Sequence, residues 1–285
     1  VELSQRADLS TQVITGTNLT FAALGVPRGT DFADIRLKGH TVQAGFHLGV
    51  LIKPNDMFSV GARYLSKQTV ETDDGDFEPT QINTGLRTPV PLPGIPAGTP
   101  LDALLQPQFA SGARLATQKV STSIPLPDQL VVGFMVRPVE AMKVKVDYQF
   151  TNWSLFDTLV ITTENGLVQT NVEDYKDTHG IRVGTEYSLS PETRLRAGVL
   201  AHGGAAPEQT VTPLLPEGKR IEFTLGGGHQ FTDRLGVDLA YQYLHQPDRR
   251  GRVSDGGLAK PTAAVNSGEY AFRANLLAMN LTLKW

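Results

Sequence analysis

The last eight residues, Ala278-Met279-Asn280-Leu281-Thr282-Leu283-Lys284-Trp285, decide the fold class that the sequence predicts. The odd-numbered positions from Met279 to Trp285 are apolar, and the even-numbered positions from Asn280 to Lys284 are polar. Successive side chains of a β-strand point to opposite faces, so this alternation predicts a strand with one apolar and one polar surface. When such strands recur without a long apolar run, they indicate a membrane-spanning β-barrel that meets lipid outside and water inside.

Alternating segments of this kind recur along most of the chain. They lie at about 41–52, 58–64, 130–137, 142–151, 181–187, 194–201, 221–226, 235–243 and 278–285. We therefore predict an all-β protein, an antiparallel transmembrane β-barrel with about nine full strands in this sequence.

Short and long connections between these segments alternate. The tight turns fall at 53–56, 137–140, 188–192 and 232–234, and the long connections lie near 73–126, 163–176, 203–218 and 248–267. Outer-membrane barrels show this asymmetry, with short periplasmic turns and long external loops. The alternative is a soluble β-sandwich, which has no reason to sort its connections by length.

The composition argues against several other classes of protein. A net charge of -3 and a pI of about 6.1 give no basic surface for nucleic acid. Cysteine is absent, as suits an extracytoplasmic bacterial protein stabilised without disulfides. The mean hydropathy is -0.16, and no stretch approaches the roughly 18 apolar residues of a transmembrane helix.

The first residues, Val1-Glu2-Leu3-Ser4-Gln5-Arg6, read like the outer end of a strand that is already under way. They show neither an initiating Met nor the charged and apolar regions of a signal peptide. Single-chain bacterial barrels have even strand numbers, whereas the count here is about nine. We therefore expect residues 1–285 to be an N-terminally truncated, partial barrel, with external loops at about 8–38 and 73–126.

Five segments of the chain resemble the FadL family of outer-membrane transporters. They are Thr15-Gly16-Thr17-Asn18-Leu19-Thr20-Phe21, Pro125-Leu126-Pro127-Asp128, Asn152-Trp153-Ser154-Leu155-Phe156-Asp157, Tyr175-Lys176-Asp177-Thr178 and Leu195-Arg196-Ala197-Gly198-Val199. The resemblance runs in order through essentially all 285 residues. His179 departs from it, because the family pattern leads us to expect an aromatic residue such as tryptophan there.

This resemblance implies a barrel of about fourteen antiparallel strands with an N-terminal hatch in its lumen. The chain would keep the end of the fifth strand and everything after it, without the hatch and the first strands. The resemblance also implies a multi-pass protein of the bacterial outer membrane that acts as a monomer in contact with outer-membrane lipid and lipopolysaccharide. Its function would be passive uptake of hydrophobic small molecules, foremost long-chain fatty acids, without a cofactor.

Two other cargo classes remain open at this point. One is the uptake of aromatic hydrocarbons such as toluene, which proteins of the same family transport. The other is a general diffusion porin, which would pass small polar solutes.

The external loops carry the candidate ligand-binding residues. In the family, the loops at these places pack together into an outward-facing hydrophobic groove that first captures the ligand. Exposed apolar groups tend to mark binding sites, although the same residues could also hold the loops together. The candidates are Leu19, Phe21, Leu24, Val26, Leu101, Leu104, Leu105 and Phe109.

A second candidate site is a row of cationic side chains. The alternating pattern predicts that they face the barrel lumen. One or two of them could hold a carboxylate, for which arginine has a suitable forked geometry. The alternative is a network of ion pairs that keeps a wide polar lumen satisfied, as barrel interiors are polar whatever they carry. The cations are Arg63, Lys143, Lys145, Arg182 and Arg196.

No catalytic or metal-binding motif stands out in the sequence. The six histidines lack a metal-ligand spacing, and there is no Gly-x-Ser-x-Gly elbow or evident Ser/His/Asp set. We therefore expect no enzyme activity, no metal and no cofactor, although outer-membrane enzymes built on barrels form a distinct class of alternative.

Overall fold

The computed structural model describes residues 2–14, 20–27, 29–91, 94–211, 218–250 and 269–284. They fall into two compact units. The first unit combines Val1–Val42, Val70–Ser123 and Val160–Thr170, and the second combines Gln43–Thr69, Ile124–Leu159 and Asn171–Trp285.

The described residues are built mostly from β-strands. In chain order these are β1 (Glu2–Asp8), β2 (Asp31–Lys38), β3 (His47–Ile52), β4 (Phe58–Leu65), β5 (Gln68–Gln81), β6 (Gln118–Leu126), β7 (Gln129–Val139), β8 (Met142–Thr151), β9 (Thr158–Thr163), β10 (Val168–Val172), β11 (Thr178–Ser188), β12 (Thr193–His202), β13 (Arg220–Gln230), β14 (Leu235–Arg250) and β15 (Glu269–Leu283). One α-helix, α1, covers Leu101–Leu105, and 3-10 turns cover Leu9–Thr11, Phe21–Leu24, Gln106–Phe109 and Trp153–Leu155. No helix among the described residues is long and apolar enough to cross a membrane.

The second unit contains a nine-stranded antiparallel sheet in the order β15-β14-β13-β12-β11-β8-β7-β4-β3. These are the nine strands that alternation predicts, so the all-β, antiparallel fold class is confirmed. The first of them begins at His47 rather than at Thr41, because its partner β4 ends at Leu65, opposite His47. Before that point Phe46 is held by Ser66, whose Oγ accepts the Phe46 N–H at 2.9 Å.

The two faces of this sheet differ sharply in polarity. The apolar face consists of the even-numbered residues of β3, β4, β7 and β8 and the odd-numbered residues of β11 to β15, which the strand register aligns side by side. Its large side chains are exposed, with Leu225 at 62%, Met279 at 72% and Leu277 at 85%. Such a surface suits the hydrocarbon of a bilayer. Trp285 lies outside the described residues.

The first unit contains a six-stranded sheet in the order β1-β2-β5-β6-β9-β10. β2, the end of β5 and the whole of β6 fall inside the segments 8–38 and 73–126, for which the sequence predicts loops. The sequence of β5 suggests a loop because it carries acidic residues at five positions, and such residues are depleted in strands. The core of the first unit is mostly apolar, with Leu9, Phe32 and Leu101 at 0–2% exposure.

Candidate functional site

The loop residues with a candidate role in ligand capture divide into two groups by burial. Phe21, Val26, Leu101 and Leu105 are buried, at 0–7% exposure, and form part of the core of the first unit. Leu24, Leu104 and Phe109 are partly exposed. Leu19 lies outside the described residues. The partly exposed group is therefore accessible at the surface, whereas the buried group could touch a ligand only after a change in structure.

The first of the two segments predicted to be external, at about 8–38, is held in place by one aspartate. Asp8 accepts the Ser10 N–H at 2.8 Å with Oδ1 and the Gly29 N–H at 3.0 Å with Oδ2. The 3-10 turn Phe21–Leu24 ends at Gly25, whose φ of 84° is the left-handed conformation that glycine adopts without strain. The carboxylate thus fixes both ends of the loop that carries Phe21, Leu24 and Val26.

The second external segment is held by an aspartate in the first turn of α1. Oδ1 of Asp102 accepts the Thr84 N–H at 2.9 Å and the Thr84 hydroxyl at 2.8 Å, and Oδ2 accepts the Gly85 N–H at 3.2 Å. Leu101 and Leu105, four residues apart on one helical face, turn into the core.

The two external segments meet within the first unit. The ring of Phe109 packs edge-on against the ring of Phe32, with 6.4 Å between their centroids. Phe32 belongs to β2, which is itself bonded to β5 where Phe32 accepts the Ile82 N–H at 2.8 Å. The described residues that the sequence assigns to one binding surface therefore belong to one unit.

Four of the polar-face charges form a connected ion-pair network. Glu186 on β11 accepts from Lys143 Nζ at 3.0 Å and from Arg196 Nε at 2.8 Å. Arg196 Nη1 also reaches Asp238 on β14 at 2.7 Å. Lys143 and Arg196 are therefore committed to carboxylates of the protein itself.

The other three cations differ in their partners. Arg182 donates to Oε1 of Gln149, and Arg63 donates to Oε1 of Gln129 at 2.8 Å. The Lys145 side chain makes no hydrogen bond or ion pair with any described residue. It lies opposite Gly184 on β11, which in turn lies opposite Gly198 on β12. Because Gly184 contributes no side chain to this part of the wall, the Lys145 ammonium has open space beside it.

The connection between β10 and β11 contains a buried acid for which the sequence predicts no role. Glu173 is 3% exposed, and burial raises its pKa to about 7. Its N–H donates to the Asp157 carbonyl at 2.8 Å, and its carbonyl accepts the Thr210 hydroxyl. Tyr175 packs edge-on against Phe156, with ring centroids 5.0 Å apart. The aromatic residues Phe156 and Tyr175 are the sequence feature from which this packed connection could have been predicted.

His179, the departure from the family pattern, makes an aromatic contact. Its ring stacks on Tyr148 with centroids 5.9 Å apart, and Nδ1 lies 2.6 Å from the Tyr148 hydroxyl. Phe150 approaches its other side at 5.6 Å. Both aromatic partners lie with His179 on the apolar face, so a histidine fills the place expected for tryptophan.

Curated relatives of this chain are outer-membrane proteins. Outer membrane protein P1 of Haemophilus influenzae is 26% identical over 201 residues, which are 70% of this chain and 37% of that protein. The long-chain fatty acid transport protein of Escherichia coli K12 is 23% identical over 268 residues, 92% of this chain and 52% of that protein. The chain thus spans about half the length of the curated relatives that it matches, or less.

Solved structures share the fold. A FadL homologue of Pseudomonas aeruginosa superposes with a TM-score of 0.72 at 19% identity, covering 99% of this chain and 61% of that one. The toluene transporter TodX of Pseudomonas putida gives a TM-score of 0.54 at 16% identity, covering 90% of this chain and 55% of that one.

The family model described as outer membrane protein transport protein (OMPP1/FadL/TodX) matches residues 1–285. The outer-membrane localisation and the barrel class that the sequence predicts are thereby confirmed. This chain belongs to the OMPP1/FadL/TodX family of outer-membrane transport proteins.

Proposed function

We propose that this protein takes up hydrophobic molecules passively across the outer membrane, and that its preferred cargo is a long-chain fatty acid. The observation that carries the choice of cargo is Lys145, a polar-face cation without a partner among the described residues. A fatty acid brings the carboxylate that such an ammonium lacks, whereas toluene brings none. The resemblance to proteins named long-chain fatty acid transport protein supports the same choice.

Capture would begin on the external segments, at the partly exposed side chains of Leu24, Leu104 and Phe109. Apolar burial stabilises such a complex by about 25 cal/mol per Å² of surface removed from water. The concentration gradient would drive transport, without ATP, a cofactor or a catalytic step. We propose a monomeric barrel as the working unit.

The test compares two lysines of β8 in the complete gene product. Lys145→Gln removes the unpartnered cation, and Lys143→Gln removes a cation of the same type, on the same face, that is paired with Glu186. Each variant is titrated with oleate and, separately, with toluene, in competition with a fluorescent fatty acid. We expect Lys145→Gln to weaken oleate binding about tenfold, as loss of a charge-assisted hydrogen bond does, and Lys143→Gln to change it less than threefold.

The outcomes separate the three cargo classes. Oleate binding that is insensitive to Lys145→Gln would contradict the role of this lysine. Displacement by toluene but not by oleate would assign the protein to the hydrocarbon transporters. Displacement by neither, together with the conductance of an open aqueous pore, would assign it to the general diffusion porins.

A further inference from the structure

The apolar face of the nine-stranded sheet is indented near the ends of the strands that lead into long connections. A cavity of about 450 Å³ lies where β11 begins, β12 ends and β13 begins. Its lining includes Ile181, Ala201, Ile221, Tyr148, His179 and Lys219. Because outer-membrane barrels carry their long loops outside, this is the extracellular end of the lipid-facing surface.

The floor of the cavity is apolar and continuous across three strands. Ile181 lies opposite Ala201, and Ala201 lies opposite Ile221 in the strand register. The small side chain of Ala201 between two isoleucines leaves a trough wide enough for a hydrocarbon chain. Ile181 is 54% exposed, so the trough is open to the surrounding lipid.

The rim of the cavity is polar and cationic. Tyr148 and His179 are joined by a 2.6 Å contact between the hydroxyl and Nδ1. Lys219 is exposed and makes no hydrogen bond or ion pair with any described residue. An ammonium beside an apolar floor at a membrane surface is stabilised by an anion more strongly than in bulk water.

Basic side chains continue onto the next two strands. His245 lies opposite Ile221, and Arg273 lies opposite His245, all on the apolar face. Directly opposed residues of this kind have Cβ atoms about 5 Å apart. Arg273 is exposed and has no partner among the described residues.

The acidic residues of the paired strands face the other way. Asp147, Glu186, Glu222 and Asp238 all occupy the polar face, where the register places them. Asp248 follows the cavity-lining Pro247 in the irregular part of β14, and it is exposed without an ion pair to a described cation. No described acidic residue forms an ion pair with Lys219 or Arg273.

We propose that this surface binds lipopolysaccharide, with an acyl chain in the trough and its phosphate groups on Lys219 and Arg273. The forked guanidinium of Arg273 can donate two parallel hydrogen bonds to one phosphate, and Lys219 acts as a point charge on another. Lipopolysaccharide combines acyl chains with phosphates in the outer leaflet, which is the leaflet that the extracellular strand ends contact. This site is separate from the cargo route, because the cargo cation Lys145 lies on the opposite face of the sheet.

The test uses the complete gene product in detergent and purified lipopolysaccharide as the probe. Bound lipid is counted by native mass spectrometry for the parent, for the double variant Lys219→Gln/Arg273→Gln, and for Arg234→Gln in the turn at the opposite end of the sheet. We expect the double variant to bind at least tenfold more weakly and Arg234→Gln to bind within twofold of the parent. Heat-dependent migration on gels checks that every variant is folded.

Two further probes identify the source of the anion. Dephosphorylated lipopolysaccharide should bind as weakly to the parent as intact lipopolysaccharide binds to the double variant. Equal binding of intact and dephosphorylated forms would overturn the phosphate contacts. Equally tight binding of phosphatidylglycerol would overturn the assignment to lipopolysaccharide, and unchanged binding by the double variant would overturn the site.

Discussion

The two units of this protein are both built on β-strands but bury opposite kinds of side chain. In the first unit the large apolar residues are inside, as Phe32 at 2% and Phe77 at 3% exposure show. In the second unit they are outside, as Leu225 at 62% and Leu277 at 85% show. The charged residues of the second unit instead pair with one another on its polar face, as Glu186 does with Lys143 and Arg196.

The difference teaches that exposure has to be interpreted with the surrounding solvent in mind. In water, the apolar face of the second unit would be an unusually large exposed hydrophobic surface. In a bilayer the same face is solvated by hydrocarbon, and the polar face becomes the one that needs water or internal partners. The first unit follows the ordinary rule for aqueous proteins.

The largest effect that would test this comparison is a cavity in the first unit. Leu105→Ala removes a side chain that is 1% exposed, and we expect it to lower the free energy of unfolding of this unit by about 2–5 kcal/mol. Leu104→Ala, one residue earlier and partly exposed, should cost less than about 1 kcal/mol. Hydrogen exchange of the β2 and β5 amides measures both. Equal losses would contradict the assignment of Leu105 to the core.

The next effect tests the second unit. Leu225→Arg places a charge on the apolar face, and we expect it to lower the free energy of unfolding in lipid vesicles by about 2–4 kcal/mol. Thr224→Arg, on the polar face of the same strand, should cost less than about 1 kcal/mol because its side chain enters the lumen. Urea titration in vesicles compares the two. A larger loss for Thr224→Arg would mean that the two faces have been assigned the wrong way round.

A smaller effect concerns the buried acid in a connection of the second unit. Burial raises the pKa of Glu173 to about 7, so the folded segment keeps a proton that the opened segment loses near the ordinary glutamate value. The segment is therefore most stable at low pH, and it loses up to about 3 kcal/mol as pH rises from about 4.5 to about 7.

Hydrogen exchange of two nearby amides checks this expectation. The Tyr175 N–H donates to the Phe156 carbonyl at 3.2 Å, and the Lys176 N–H donates to the Ala205 carbonyl at 2.9 Å. After correction for intrinsic rates, both amides should exchange faster at pH 8 than at pH 5. Glu173→Gln should remove the difference, and a difference that persists in the variant would show that another group is responsible.

The sequence predicts the second unit far better than the first for a physical reason. A sheet between lipid and water enforces strict alternation, so residues such as Val144, Lys145 and Val146 reveal both the strand and its faces. The first unit has no such constraint. β5 contains Glu71, Asp73 and Asp74, and its pairing to β2 depends on distant partners that a local pattern does not show.

The candidate site residues were also predicted only in part from the sequence. Alternation places Lys145 and Arg196 on the polar face, but it does not show that Arg196 has carboxylate partners and that Lys145 has none among the described residues. Apolar composition marks Leu104 and Leu105 together, yet their burial differs because helical geometry turns only one of them inward. Such distinctions depend on tertiary contacts between segments that lie far apart in the sequence.

The carboxylates of Asp8 and Asp102 have a consequence for the kinetics of capture. Each fixes the backbone of an external segment through N–H groups of the protein itself, at 2.8–3.2 Å. The conformational entropy of ordering these segments is then lost during folding and not during the encounter with cargo. For the capture step proposed above, association should therefore proceed at a rate set by diffusion and desolvation.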